Sequence, residues 1–243
     1  MCLAFLRFQP HEEWPLLLVS IRDEDLARAA SGPGAWWPET HPGVLGGRDL
    51  QAGGTWLAVD PDRRTLAAIF TPAAVSPPVA GLRTRGELPL LALGDGTLAD
   101  ADLATYAPFA LLRAQADEAV WWSWTGSRLD RTTITPGMHT ANIDGLDATS
   151  VNPRQARWQE PFAAAAPVPF NPDGAPEQRW QGWLRLLGQA IEPERADSLI
   201  VRRTIETGTY GTKSVALIAI GRHDLRYDET DRPWAAGSWT TVR

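Results

Sequence analysis

The chain opens on a strand. Cys2-Leu3-Ala4-Phe5-Leu6-Arg7-Phe8 begins one residue from the start, and after a turn over Gln9–Pro15 comes Leu16–Ile21, a nearly continuous apolar run. A short run with no polar face reads as a buried strand. The other end of the chain also reads as strands: Leu199–Ile205, Lys213–Ile220, Asp224–Tyr227 and Ser238–Val242. Strands at both ends with helices between them favour one layered α+β domain over residues 1–243 rather than two separate cores.

The interior supplies the rest. Arg22-Asp23-Glu24-Asp25 puts acids ahead of Leu26–Ala30, which predicts a short helix, and a Gly/Pro/Trp loop follows through Pro42. Thr55–Val59 and Thr65–Phe70 flank Asp60-Pro61-Asp62-Arg63-Arg64, a hairpin by its turn chemistry. Pro72–Pro78 reads as irregular, and helices are expected over Glu87–Leu93 and Asp100–Tyr106. Phe109–Gln115, Val120–Thr125 and Leu129–Thr135 read as a meander, ended by Pro136-Gly137, with His139–Ile143 extended. Pro161–Pro176 is the best linker candidate. Gln178–Ile191 is the clearest helix, with Trp180, Trp183, Leu184, Leu187 and Ile191 on one stripe.

Composition closes off several functions. Net charge is −6 and the arginines are scattered, without the basic stripe that nucleic-acid phosphates require. No run approaches the ~18 apolar residues of a membrane span, and the first residues leave no room for a signal segment. Cys2 is the only cysteine, so no internal disulfide forms. The expectation is a soluble, cytoplasmic protein. His11, His41, His139 and His223 are far apart and unpaired, so no metal or other cofactor is expected. Trp121, Trp122 and Trp124 favour core packing over a pocket lining.

Several segments, in order along nearly the whole chain, carry a resemblance. They are Met1-Cys2 opening into a strand, Arg22-Asp23-Glu24 after the second strand, and Gly46-Gly47-Arg48-Asp49-Leu50-Gln51-Ala52-Gly53-Gly54-Thr55-Trp56-Leu57-Ala58. Arg83–Leu88, Pro136-Gly137-Met138-His139 to Asn142, and Tyr210-Gly211-Thr212-Lys213-Ser214 complete the set. Together they resemble the family named for an Asn-Arg-Asp-Glu motif, also called the Transport and Golgi organisation protein 2 family. The resemblance implies a four-layer αββα sandwich of the N-terminal-nucleophile hydrolase type.

It also implies candidate site residues. Removal of Met1 would make Cys2 the first residue, with its own α-amine as general base for the thiol. The thiolate would attack an amide or related acyl carbonyl. The plainer reading is that Cys2 is a small apolar residue in a buried strand. Arg22 can stabilise the thiolate and Asp23 can orient the α-ammonium. Neighbouring strand residues point to opposite faces, so both reach one cleft only if the strand ends at Arg22 and the chain bends. Otherwise Asp23 caps a helix and Arg22 pairs with it or with Glu24. Asn142 is the candidate oxyanion donor, or else a turn residue with Asp144 and Gly145. Gly46-Gly47 and Gly53-Gly54 read as tight turns or close backbone approaches, with Arg48 and Asp49 as an ion pair fixing the loop.

The chain departs from the family pattern at three places. Ile21 replaces the Asn before Arg22, Thr71 stands where a second Asn is expected, and Lys213 replaces an Arg. With Arg48, Thr71 and Lys213 are candidate substrate contacts. Two functions remain open: an N-terminal cysteine hydrolase acting on a small molecule, or a non-catalytic binder of an apolar ligand. The family link offers haem or an acyl-CoA or lipid for the second. The sequence is silent on oligomeric state.

Overall fold

The first apolar runs are strands β1 (Leu3–Phe8) and β2 (Leu16–Asp25), described by a computed structural model that covers residues 2–71, 81–94, 98, 101–189, 195–206, 208–235 and 237–242. β1 pairs with β2 on one side and with β10 (Gly137–Asn142) on the other. The first sheet runs β11 (Gly145–Leu146), β10, β1, β2, β13 (Gly208–Ile220), β14 (Leu225–Thr230), β15 (Thr240–Thr241), with β12 (Arg202–Ile205) also on β13. The second sheet keeps chain order: β3 (Ala30–Gly34), β4 (Leu45–Asp49), β5 (Leu57–Asp60), β6 (Thr65–Phe70), β7 (Phe109–Ala114), β8 (Ala119–Trp124) and β9 (Leu129–Thr133). All the pairings are antiparallel.

Alternation along these strands sorts the core. Ala4, Leu6, Leu16 and Leu18 pack with Leu57, Leu66, Phe70 and Trp121 between the two sheets. Leu3, Phe5, Leu17, Val19 and Ile21 point the other way, onto Trp158 and Phe162 of α2 (Pro153–Ala164) and Trp183 and Leu187 of α4 (Gln181–Gln189). Trp122 and Trp124 face outward from the second sheet, where Leu88, Leu90 and Ala92 of α1 (Leu88–Ala92) cover them. All three tryptophans of β8 are buried, as core packing predicts. The helix face is aromatic: Phe5 stacks on Phe162 at 4.1 Å, and Trp183 meets Phe162 at 5.7 Å and Trp180 at 5.6 Å.

Several expectations change. No helix forms over Leu26–Ala30, because β2 continues to Asp25 against Tyr210 and Leu26 N–H donates to the Thr209 carbonyl (2.8 Å). Sheet pairing with β13 overrides a weak local preference. The Gly/Pro/Trp loop contains β3. Over the expected helix Asp100–Tyr106, only a single 3₁₀ turn at Leu103–Thr105 forms among the described residues.

The linker candidate begins inside α2, which the sequence reading missed. Asn152 caps it, its Oδ1 accepting from Arg154 and Gln155 N–H at 3.1 Å each. The α2 face that packs on the sheet carries buried Arg154 and Gln155 beside its two aromatics, which blurs the apolar period. The predicted helix Gln178–Ile191 is split at Trp180 into α3 (Pro176–Arg179) and α4, with Trp180, Trp183 and Leu187 buried. Ile191 and Pro72–Pro78 lie outside the described residues.

Beside β10, His139 Nδ1 meets Asp147 Oδ2 at 2.7 Å and its Nε2 meets the Thr135 carbonyl at 2.8 Å. Asp147 holds a left-handed backbone (φ 53°), and its Oδ1 accepts from Thr140 N–H (2.8 Å) and Gln159 Nε2 (3.2 Å). The Asp147 contact raises the His139 pKa against the opposing effect of burial. Burial alone would raise Asp147, but bonds from His139 and Thr140 hold it below the usual carboxyl value.

Two outcomes follow. Trp183→Ala should lower stability by ~3–5 kcal/mol in urea unfolding, the cost of emptying a large aromatic site. The His139 contribution is complete below the free imidazole value of about 6.5 and fades as pH rises through its raised folded value. The Asp147 contribution fades as pH falls through its lowered value. The melting-temperature deficit of His139→Gln should therefore be greatest near pH 5.5 and shrink toward pH 9.

Candidate functional site

The Leu3–Ile21 and Leu3–Asn142 pairs bring four sequence candidates to one end of the first sheet. One step beyond these pairs, Cys2 comes level with Arg22, and Arg22 pairs in turn with Ser214 of β13. Alternation then divides the set. Cys2 packs against the core between the sheets, and Arg22 lies over Trp56 on the same side. Asp23 and Asn142 share the helix face. β2 passes straight through Asp23 to Asp25, so the bend that would bring Arg22 and Asp23 into one cleft is absent.

Arg22 is the unusual member. Its side chain is 5% exposed, and its guanidinium lies 3.9 Å from the centre of the Trp56 ring. Its nearest carboxylate, Glu24, is 3.8 Å away, too far for a hydrogen bond. Burial lowers the Arg22 pKa from its ordinary value, while Cys2, Glu24 and Asp49 favour its charge. Cys2 is half-buried. Burial pushes its thiol pKa up, and the Asp23 carboxylate adds to that. Arg22 and the Asp23 backbone N–H pull it down.

The other two candidates are fully engaged. Asp23 accepts from Arg154 Nη1 at 2.5 Å and from Thr212 Oγ1 at 2.7 Å. Arg154 also donates to the Leu199 carbonyl (2.6 Å), joining α2 to the sheet. Asn142 donates to Asp144 Oδ2 (3.1 Å), while its Oδ1 accepts from Asp144 N–H (2.9 Å) and Gln155 Nε2 (3.2 Å).

Lys213 occupies a bulge: Thr212 pairs with Asp23 and Ser214 with Arg22, leaving Lys213 unmatched. That extra residue reverses the alternation, so Thr212 serves Asp23 on one face while Ser214 lies level with Arg22 on the other. Lys213 Nζ donates to the carbonyls of Leu26 (3.1 Å) and Arg28 (2.5 Å), holding the turn after β2. Burial, and then the neighbouring Arg22 charge, lower its pKa.

Arg48 and Asp49 do not pair. Asp49 takes Arg28 Nε at 2.6 Å and two backbone N–H groups, from Gln51 and Ala52. Arg48, its neighbour on the strand, points to the opposite face, and its buried Nε has no partner among the described residues. Thr71 directly follows β6 and is half-buried. Ile69 N–H bonds the Trp56 carbonyl (3.0 Å), so this end of β6 lies near Arg22. Gly46 and Gly47 are strand residues rather than turns, and the close backbone approach holds at Gly46, where a Cβ would lie 2.5 Å from the Leu57 carbonyl oxygen, and at Gly54, 2.3 Å from the Gly86 carbonyl carbon. A Cβ on Gly47 would lie 2.2 Å from Trp56 Cζ2, so the glycine is what lets the indole lie under Arg22.

Sequence reasoning gave Glu24 only as an ion-pair partner of Arg22, which it is at 3.8 Å, and missed Glu229. Glu24 shares the face of Arg22, two residues on, so strand alternation also places it on the cleft side. Glu229 of β14 is 5% exposed and takes the Tyr227 hydroxyl at 2.6 Å. Burial raises its pKa to about 7, with the Tyr227 and Ser214 hydroxyls and Arg22 opposing the rise. No local signal marked it, since Asp228-Glu229-Thr230 reads as a polar strand end.

Among the described residues, no three His, Cys, Asp or Glu side chains converge to hold a metal ion, and no helix is long and apolar enough to cross a membrane. No curated protein matches the chain. The family model for Transport and Golgi organisation 2 matches residues 1–165, from the Cys2 strand through α2. That span takes in Arg22, the glycine-rich strand under Trp56 and Asn142, and by it the chain belongs to the Transport and Golgi organisation 2 family.

Proposed function

We propose that the chain is an N-terminal cysteine hydrolase of an amide or related acyl bond, on a four-layer αββα sandwich of the N-terminal-nucleophile type. Two facing antiparallel sheets, with helices outside each, support that fold reading. The observation that carries the function is Arg22: a cation 5% exposed beside the only cysteine, clamped by an indole, with Glu24 at 3.8 Å and no hydrogen-bond acceptor among the described residues. A guanidinium so little exposed, with its nearest carboxylate beyond hydrogen-bond reach, is stabilised by a closer negative charge. The Cys2 thiolate, or the oxyanion of an acyl intermediate, is such a charge.

With Met1 attached, the thiol is held in its neutral form by burial. Removing Met1 places an α-amine on Cys2 itself. That amine takes the thiol proton, and the thiolate sulfur bonds to the substrate carbonyl carbon. The tetrahedral oxyanion collapses as the C–N bond breaks, and the α-ammonium returns the proton to the departing amine. Water then hydrolyses the thioester. Glu24 shares the cleft side with Arg22, and in this reading it takes the ammonium-orienting role in place of Asp23. Asn142 is engaged on the other face, so Arg22 is the oxyanion partner in this reading. Thr71, Lys213 and Arg48 belong to the surrounding frame.

One observation favours a second reading, a non-catalytic binder of an apolar ligand. Asp23 and Asn142 are both spent on structural hydrogen bonds, which leaves the cleft with fewer catalytic groups.

Intact mass and limited alkylation of the native chain across about pH 5 to 9 separate the two. The hydrolase reading expects loss of Met1 and a thiol that titrates well below the free value of about 8.5. A retained Met1, or a thiol inert until unfolding, would leave the binder. Arg22→Gln should slow alkylation of Cys2 at neutral pH about tenfold, the effect of a one-unit rise in thiol pKa.

A further inference from the structure

Arg22, whose nearest carboxylate stands off at 3.8 Å, is not the only buried charge-bearing group on the inner face of the first sheet that lacks a hydrogen-bonded ion pair among the described residues. Glu229 lies two strands away, on β14, opposite Ala216 of β13. Tyr227 belongs to the core between the sheets, and Glu229, two residues on, shares its face. Among the described residues no cation comes within ion-pair distance of the Glu229 carboxylate. Its contacts are hydroxyls: Tyr227 at 2.6 Å and Ser214. Ser214 is also the residue paired with Arg22. A polar row therefore crosses the inner face from strand to strand: Cys2, Arg22, Ser214, Glu229. Beside the row Ser20 adds one hydroxyl, and beyond it the face is apolar, with Ala4, Leu18, Ala216 and Ile218 in the first sheet and Leu57, Leu66 and Phe70 in the second.

We infer that Glu229 is a positioning residue for Cys2, acting through Arg22: when it loses its proton it competes with the cysteine for the guanidinium. The inference rests on Cys2 being the reactive group of the cleft. A carboxyl in this setting has two states with opposite consequences. Protonated, it is a neutral hydrogen-bonding partner of Tyr227 and Ser214, and Arg22 is left to the thiolate. Ionised, it draws the Arg22 charge along the row and adds its own negative field, and both effects oppose the thiolate. Its midpoint near 7 places the change inside the working range of a cysteine nucleophile. Other charges acting on the row are few. Asp231, just past β14, raises the Glu229 pKa, while Glu24, Arg28 and Asp49 surround Arg22 at its outer end. Lys213 stands beside Arg22 and holds backbone carbonyls.

Because Cys2 is the only cysteine, iodoacetamide alkylation of the full-length chain reads this site alone. Glu229→Gln fixes the neutral state. At about pH 6 parent and variant should alkylate at similar rates. At about pH 8 the variant should be several-fold faster, as expected for a thiol pKa lowered by under one unit. Tyr227→Phe and Ser214→Ala each remove a donor to the carboxylate, which raises the acid's pKa. Both should move the inflection in the parent profile to higher pH. A purely structural role would lower melting temperature and leave the profiles superimposed. Superimposed profiles with a reactive Cys2 overturn the inference and leave the hydrolase reading intact. A thiol inert in parent and variants alike overturns both. If Glu229→Gln does not fold, the two hydroxyl variants carry the same test.

Discussion

Everything in this fold depends on β1 and β2 being buried on both faces. A strand covered on two sides has no neutral direction: each side chain goes either between the sheets or against the helices. The backbone pleat decides which. Apolar residues fill the helix face as far as Ile21 and the inter-sheet face as far as Leu18, where Ser20 follows. Beyond Ile21, at the end where the chain begins, polar residues take the same alternating places. Cys2, Arg22 and Glu24 inherit the inter-sheet face, and Asp23 and Asn142 the helix face. One bulge at Lys213 switches β13 between the two, so Thr212 and Ser214 serve opposite sides.

The two faces treat charge differently. On the helix side each buried acid is met at hydrogen-bond distance. Asp23 has Arg154 and Thr212. Asp228 has Arg179 at 2.6 Å, Trp180 Nε1 at 2.7 Å and Thr241 at 2.7 Å. Removing one partner from such a pair costs ~3–5 kcal/mol, because the other charge is stranded in a low-dielectric interior. Those pairs tie the helices to the first sheet. On the inner face, among the described residues, Glu229 meets hydroxyls but no cation, and Arg22 is held by an aromatic ring with its nearest carboxylate 3.8 Å away. Weakly matched buried charge in a framework that matches it closely elsewhere is the physical mark of the candidate site.

Much of this was legible in the residues. Apolar runs and turn chemistry located β1, β5 to β8 and the Trp180–Trp183–Leu187 stripe, because burial and propensity agree there. The Met1-Cys2 start, the Arg22 block and the glycine-rich segment carried the family. What was not legible came from long-range pairing. Leu26–Ala30 looks helical until β13 arrives from the far end of the chain. α2 hides because its packed face carries Arg154 and Gln155, and the Asp23 carboxylate that satisfies Arg154 lies on a strand far away in the chain. Asp23 looked catalytic because its side of the pleat depends on where β2 ends, and β13 decides that. Glu229 gained its character only from what buries it.

The two sheets differ in how the chain visits them. The second is a meander laid down in order between residues 30 and 133, each strand beside the one before. The first is stitched from both ends of the chain, and β2 meets β13 across almost two hundred positions. During synthesis the meander can therefore close on itself while the first sheet waits, since local pairings form before distant ones. Until β13 emerges, β2 is an open apolar edge, ready to pair with any other unpaired strand. The strand that carries Arg22 is thus the part of the nascent chain most in need of protection, and the arrival of β13 is what ends that exposure.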